Sequence, residues 1–174
     1  QYRLLRADEP VPTLREALEL AVGRILLNLD VKIDQLEPVV REIARAEALD
    51  GVLVYVAPAR RERTAIELMR RWPRLQVMMR AEAPEDLQRI ARYRPRPRVL
   101  HVNGRAPSRE LCRRIRRSGF AVFIYPQGWT RFWHGQRLSD YARMGANFVQ
   151  TDRPLAMLGQ MRRLNRLADR SAGR

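Results

Sequence analysis

The sequence predicts an α/β fold with parallel strands, and three observations carry the prediction. Six short apolar runs recur along the 174 residues, each is followed by a segment with helical spacing of apolar side chains, and proline or glycine separates many of these segments. Strands buried on both faces read as near-continuous apolar runs. With 45% hydrophobic residues the chain suits one ordinary core, so we expect a single domain over residues 1–174.

The first half of the chain gives three strands and their helices. Thr13 and Glu16 have the spacing of a capping box, and Gly23 can close the helix that they open. Pro38 starts a second helix, and a third, over 61–72, is stopped by Pro73. Across the whole chain the apolar runs predict strands at residues 25–32, 52–56, 75–79, 99–103, 120–125 and 147–150.

The second half repeats the alternation. Pro84 starts a helix, further helices are expected over 108–117 and 138–144, and a terminal helix ends near Ala168, which leaves 169–174 as a frayed tail. Such parallel strands, covered on the outside by helices, fit either a (β/α) barrel or an open doubly wound sheet. No GxGxxG or P-loop follows the first strand, which disfavours the nucleotide-binding form of the open sheet.

The end of the strand 25–32 is the strongest candidate for a functional site. The apolar run ILLNLDVK ends in two opposite charges, Asp30 and Lys32. An ionised group costs several kcal/mol in an apolar interior unless it is paired or binds a ligand. The residues alone leave two alternatives open, a surface loop and a structural ion pair.

The charge of the chain is strongly positive, with a formal net charge of +15 and Lys32 as the only lysine. Such a charge attracts phosphates and acidic lipids. The arginines are spread over nearly every predicted helix, which indicates a compositional habit rather than a recognition surface and disfavours nucleic-acid binding. No apolar run approaches the roughly 20 residues of a membrane span, and no pattern indicates a compartment.

Cysteine and histidine chemistry is sparse. Cys112 is the only cysteine, which excludes an internal disulfide and a cysteine-based zinc site, and we expect it to pack in the helix 108–117. His101 lies within a strand and His134 within the glycine- and aromatic-rich loop 126–136, and neither belongs to an HExxH or H-x-E motif. The length of that loop makes it a candidate functional loop.

Two stretches together resemble the glycerophosphodiester phosphodiesterases: PTLREALELAVGRILLNLDVK at 12–32 and GANFVQTDRP at 145–154. Members of that family commonly show a PTL-E-L helix, a strand like N-I-E-I-K and a final strand like G-I-I-T-D-R-P. The resemblance implies a TIM (β/α)8 barrel that is incomplete here, with about six parallel βα units, the third to the eighth. The family's H-R-G, E-L-D and H-D motifs, which supply its catalytic histidines and two of its three metal-binding carboxylates, do not occur, so no catalytic residue is expected in this chain.

The resemblance also assigns roles to single residues. Asp30 takes the place of the third carboxylate of a Mg²⁺ or Ca²⁺ site, and Lys32 lies beside the substrate phosphate. Gln127 and Trp129 are placed near the mouth of the barrel as substrate-binding candidates. Asp152, in the T-D of the last strand, is expected to cap the last helix and to hold Arg153.

The function implied is that of a phosphoric diester hydrolase in lipid metabolism, which converts a glycerophosphodiester into glycerol 3-phosphate and an alcohol. We expect this chain alone to be nearly inactive. Alternatives are a non-catalytic barrel fragment or pseudoenzyme that binds a phosphate-bearing ligand or a partner protein, and an arginine-rich module for nucleic acid or acidic membranes. The expected partners are a small phosphodiester and, at the open barrel edge, an N-terminal segment or a second copy. The expected rim residues are Asp30, Lys32, Arg80, Asn103, Gln127 and Asp152.

Overall fold

Six parallel strands form one sheet in sequential order. The computed structural model describes residues 11–57, 59–104, 108–126 and 138–172. The strands are β1 Leu27–Asp30, β2 Val52–Val56, β3 Gln76–Arg80, β4 Val99–Gly104, β5 Ala121–Pro126 and β6 Phe148–Val149. Every adjacent pair is parallel, which confirms the predicted strand direction.

Seven helices are described, one before β1, one between each pair of consecutive strands and one after β6. They are α1 Leu14–Ala21, α2 Leu36–Arg45, α3 Glu62–Arg71, α4 Pro84–Ala91, α5 Arg109–Arg117, α6 Leu138–Met144 and α7 Pro154–Ala172, with a 3₁₀ turn at Ala59–Arg61 before α3. The capping box of α1 is confirmed, since the Glu16 carboxylate accepts the Thr13 backbone N–H at 2.7 Å while the Thr13 hydroxyl accepts the Glu16 N–H at 3.3 Å. Pro84 stands at the first position of α4, as expected.

The two faces of the sheet have different environments. One face of the strands packs against the helices in the main core, where Val54, Met79, Leu100 and Ile124 are at most 1% exposed. The opposite face carries a smaller apolar cluster of strand residues around Met78 and Phe123. With the helices on the outer face, the sheet forms an open half-barrel, which is an incomplete TIM barrel.

The prediction of a buried strand over 25–32 is wrong in two respects. The strand spans only Leu27–Asp30, so Lys32 follows it, and the side chains of Ile25 and Leu26 are 63% and 72% exposed. The reason is the position of β1 at the edge of the described sheet, where it pairs with β2 alone. Sequence patterning predicted burial because the apolar run is the same whether or not a second neighbour is present.

Several element ends differ from the expectation. Helix α2 starts at Leu36, two residues before Pro38, and β6 is limited to two residues. Helix α7 continues to Ala172, so residues 169–172, expected as a frayed tail, are helical. The loop candidate 126–136 begins with Pro126 at the end of β5, and its remaining residues lie outside the described ranges. In the described part of the chain, no helix combines the length and apolarity that crossing a bilayer requires.

The exposed strand edges generate a prediction about association. Among the described residues β1 and β6 each pair with one strand. Unpaired backbone groups and apolar side chains at such edges favour pairing with another chain, so we expect concentration-dependent self-association of the 174-residue chain in sedimentation velocity. Replacing the exposed Leu26 and Phe148 by lysine places charges at both edges and should shift the distribution toward monomer.

The control is Gln88→Lys, which adds one lysine on the exposed surface of α4, away from both edge strands, and each single variant, Leu26→Lys or Phe148→Lys, adds the same charge at one edge. Gln88→Lys should leave the sedimentation profile unchanged. A wild-type chain that stays monomeric at all concentrations would contradict the prediction.

Candidate functional site

A cavity of about 440 Å³ lies on the open face of the sheet, toward the carboxyl ends of the strands. It brings together side chains that are far apart in the sequence, because parallel strands end at the same rim. The lining residues are Asn28, Asp30, Lys32, Tyr55, Met78, His101, Asn103, Tyr125 and Gln150. Three of the residues expected at the rim, Asp30, Lys32 and Asn103, therefore share one cavity.

Asp30 and Lys32 form an ion pair at the edge of this cavity. The Lys32 Nζ donates to Asp30 Oδ2 at 2.6 Å, and the side chains of Lys32 and Asp30 are 81% and 49% exposed, respectively. An exposed pair of this kind contributes at most about 1 kcal/mol to stability. The pair therefore contributes little to folding, and both charges remain accessible from solvent.

The described residues do not by themselves fit a divalent cation. Mg²⁺ and Ca²⁺ take about six or more oxygen ligands, several of them usually carboxylate or carbonyl groups. Among the described residues that line the cavity, Asp30 is the single carboxylate, and its Oδ2 already accepts a hydrogen bond from the Lys32 ammonium. No group of three histidine, cysteine or acidic side chains able to hold a metal ion occurs in the described ranges.

Arg61 fixes the loop that carries Lys32. Its guanidinium donates from Nη1 to the Val31 carbonyl at 2.7 Å, and from Nη2 to the Lys32 carbonyl at 3.3 Å and to Asp34 Oδ1 at 3.0 Å. The residue is only 9% exposed. The hydrogen bonds from Arg61 and then Arg60 lower the pKa of the Asp34 carboxyl. A residue of the second βα unit thus positions the backbone of the first.

The three hydrogen bonds of Arg61 form what we call the Arg61 clamp, and Glu62 connects this clamp to the rest of the protein. Glu62 is 3% exposed, and its Oε2 accepts hydrogen bonds from the Tyr93 hydroxyl at 2.8 Å and from Arg89. A buried carboxylate is costly unless it is paired and hydrogen-bonded, and here it is both. The start of α3 is therefore tied to α4, which holds the backbone of Arg61 in place.

His101 is a buried side chain of the cavity wall that sequence reasoning did not assign to the site. It is 4% exposed, and its ring centroid lies 4.7 Å from that of Tyr55, 5.5 Å from Phe123 and 6.2 Å from Tyr125. Burial, reinforced by the nearby Arg80 cation, lowers the pKa of His101 to about 4. The imidazole is therefore neutral at pH 7.

The alternation of side chains along β4 is the sequence signal that predicts which residues form this wall of the cavity. His101 and Asn103 are two residues apart on β4 and so share a face. The register aligns His101 with Phe123 and Asn103 with Tyr125. Sequence reasoning also missed Tyr55, Tyr125 and Gln150, because a near-continuous apolar run hides which alternate residues face the open side.

The remaining predicted residues are less informative. Arg80 ends β3 and pairs with Glu82. Just before α7, the Thr151 hydroxyl accepts the Arg153 backbone N–H at 3.0 Å. The capping of the last helix by Asp152 stays a prediction. Gln127 and Trp129, the substrate-binding candidates, lie outside the described residues.

The Arg61 clamp predicts a difference between two neighbouring arginines. Arg61→Met removes three hydrogen bonds from a mostly buried guanidinium and should lower the free energy of unfolding by about 1–3 kcal/mol. Arg60→Met removes an exposed cation paired with the same Asp34 and should change it by less than about 1 kcal/mol. Urea unfolding of both variants makes the comparison, and equal losses would contradict the clamp.

Burial of His101 predicts a loss of stability in mild acid. Because the His101 pKa is about 4 in the folded state and returns to its ordinary value of 6.5 on unfolding, the unfolded chain binds more protons between these values. Stability should therefore fall as the pH drops through this window, by about 2 kcal/mol between pH 7 and pH 5.

The matched variant is His101→Gln, which cannot titrate in this range. The free energy of unfolding in urea should decrease less from pH 7 to pH 5 for His101→Gln than for the wild type. Some decrease should remain in the variant, since the carboxylates titrate in both proteins. The same decrease in the two proteins would show that His101 is not held neutral.

The chain is similar to known proteins in structure, but it has no detectable similarity to a known family in sequence. No known family profile matches the chain, and no curated protein sequence matches it. A proposed glycerophosphodiester phosphodiesterase from Galdieria sulphuraria superposes with a TM-score of 0.64 at 10% identity, over 85% of this chain and 63% of that one. A proposed glycerophosphoryl diester phosphodiesterase from Silicibacter pomeroyi gives 0.56 at 17% identity, over 81% and 52%.

This chain thus spans about half to two thirds of the length of those proteins. At such low identity the likeness establishes the fold alone. The six parallel strands, the outer helices and both superpositions agree on one architecture. The chain has a glycerophosphodiester phosphodiesterase-like fold in the form of a partial TIM barrel.

Proposed function

We propose that this chain provides the phosphate-binding part of a phosphodiesterase site, which hydrolyses a glycerophosphodiester to glycerol 3-phosphate and an alcohol. One observation carries the proposal: Asp30 and Lys32 line a polar cavity at the carboxyl ends of parallel strands in a fold of this type. Active sites of TIM barrels lie at that end of the strands.

Lys32 is the proposed phosphate ligand. Its ammonium is a compact charge on a flexible side chain, and it is 81% exposed at the cavity edge. The Arg61 clamp holds the Lys32 backbone, and the ammonium, which donates one hydrogen bond to Asp30, has two further N–H groups for a ligand. A charge-assisted hydrogen bond to a phosphate oxygen is about twice as strong as a neutral one.

Asp30 is the carboxylate that this chain would contribute to a Mg²⁺ or Ca²⁺ site, as the resemblance implies. It does not suffice for such a site alone. Further carboxylate ligands would have to come from outside the described residues that line the cavity. The phosphate-binding role of Lys32 does not depend on them.

Proton transfer is the part of the reaction that this chain supplies least well. A general acid or base works best with a pKa near the working pH. With a pKa of about 4, His101 is neutral at pH 7, so it is not a proton donor and is a weak base. Hydrolysis by the 174-residue chain alone should therefore stay near background.

The test uses glycerophosphocholine hydrolysis at varied Mg²⁺ and Ca²⁺. The 174-residue chain should be nearly inactive, and a polypeptide that joins it to two further βα units with the family's histidine motifs should be active. In that polypeptide Asp30→Ala should abolish activity. Lys32→Ala should lower kcat/KM by about 10- to 100-fold, the equivalent of one charge-assisted hydrogen bond.

Arg114→Ala is the control, since it removes one positive charge from the outer helix α5. It should leave kcat/KM unchanged. Turnover by Asp30→Ala at the wild-type level would remove Asp30 from the site and contradict the proposal.

A second candidate function is phosphate-ligand binding without catalysis. The observation that favours it is the absence, among the described residues, of a three-ligand metal group together with a neutral His101. Binding of glycerol 3-phosphate by the completed polypeptide without hydrolysis would identify it. Nucleic-acid binding has less support, because arginines of the outer helices pair with acidic neighbours, as Arg15 does with Glu42 and Arg41 with Glu37.

A further inference from the structure

Two buried polar atoms on β4 have no hydrogen-bond partner among the residues that the structure describes. They are Nδ1 of His101 and Oδ1 of Asn103. Buried polar groups in proteins are nearly always hydrogen-bonded, because leaving one unpaired forfeits its interaction with water. Both side chains line the cavity that also holds Asp30 and Lys32. The unpaired atoms therefore mark a wall at which a ligand can supply the missing hydrogen bonds.

The chemistry of this wall is uncharged and offers both donors and acceptors. A neutral imidazole has one donor and one acceptor nitrogen, and an amide has an acceptor oxygen and a donor nitrogen. Residues two apart on a strand are separated by about 7 Å. That spacing suits a group with several hydroxyls, since each hydroxyl both donates and accepts.

The surroundings do not favour a cationic group at the same place. The carboxylates near His101 are already paired, Asp30 with Lys32 and Glu82 with Arg80. The rings of Tyr55 and Phe123 lie 4.7 and 5.5 Å from the imidazole, so His101 takes the ring contacts that an ammonium would need. A quaternary ammonium would find neither a free carboxylate nor an open aromatic cage among these residues.

We propose that His101 and Asn103 determine which organic group the cavity accepts, selecting an uncharged polyol attached to the phosphate over a choline-like ammonium. The inference rests on the proposed phosphate site at Lys32. Lys32 binds the phosphate. The side chains of His101 and Asn103, which together form the β4 wall of the cavity, make hydrogen bonds to the hydroxyls beside the phosphate. His101 and Asn103 act in binding and specificity, not in the chemical step.

The experiment is isothermal titration of the 174-residue chain with four probes. They are glycerol 3-phosphate, inositol 1-phosphate, phosphocholine and inorganic phosphate. The wild type should bind the two polyol phosphates at least about 10-fold more tightly than phosphocholine, the ratio expected from one or two hydrogen bonds. Inorganic phosphate should bind weakly, through Lys32 alone.

Variants of the wall separate its role from that of Lys32. His101→Phe and Asn103→Leu keep the approximate size of each side chain and should weaken the polyol phosphates about 5- to 10-fold while leaving inorganic phosphate unchanged. His101→Gln keeps a donor and an acceptor and should recover part of the affinity. Lys32→Ala should weaken all four probes.

Each outcome decides a different claim. If phosphocholine binds as tightly as glycerol 3-phosphate, or if both His101→Phe and Asn103→Leu leave all affinities unchanged, the β4 wall is not a specificity element, although phosphate binding through Lys32 stands. If no probe binds the wild type, the phosphate site and this inference fall together. Thermal melting of each variant identifies loss of folding, and Asn103→Leu decides the question if His101→Phe does not fold.

Discussion

Parallel pairing of six consecutive strands is the constraint on which the other features of this molecule depend. Each helix returns the chain to the starting end of the sheet, so all carboxyl ends lie at one rim. Asp30 and His101 share a cavity for this reason, although about 70 residues separate them in the sequence. The helices bury one face of the sheet, and residues of the opposite face line the cavity.

The edge position of β1 explains how the site is held. A strand with one neighbour has fewer contacts, and β1 is short and half-exposed. The loop after it is secured instead by the Arg61 guanidinium, and Arg61 precedes Glu62, which is tied to α4 by Arg89 and Tyr93. Side-chain hydrogen bonds from the next βα unit thus hold the Lys32 backbone in place, as a second flanking strand holds the backbone of residues inside the sheet.

Much of the fold was readable from the sequence, and the site only in part. Apolar runs, the Thr13 capping box and Pro84 located the elements because these signals are local. The burial of Ile25 and Leu26 was mispredicted, since burial depends on a neighbouring strand that no local pattern reports. His101 was assigned to a strand but not to the cavity, because its role follows from register with Phe123 and from alternation on β4. The roles carried over for Gln127 and Trp129 rest on the family resemblance alone.

The central claim is that Lys32 binds the phosphate of a ligand in this cavity. Because Lys32 is the only lysine, a chain grown with isotopically labelled lysine gives one backbone amide signal in a nuclear magnetic resonance spectrum. Titration with glycerol 3-phosphate should shift that signal saturably, whereas choline chloride at the same ionic strength should not. A signal that stays in place through the titration, or that moves equally with both compounds, would contradict the account.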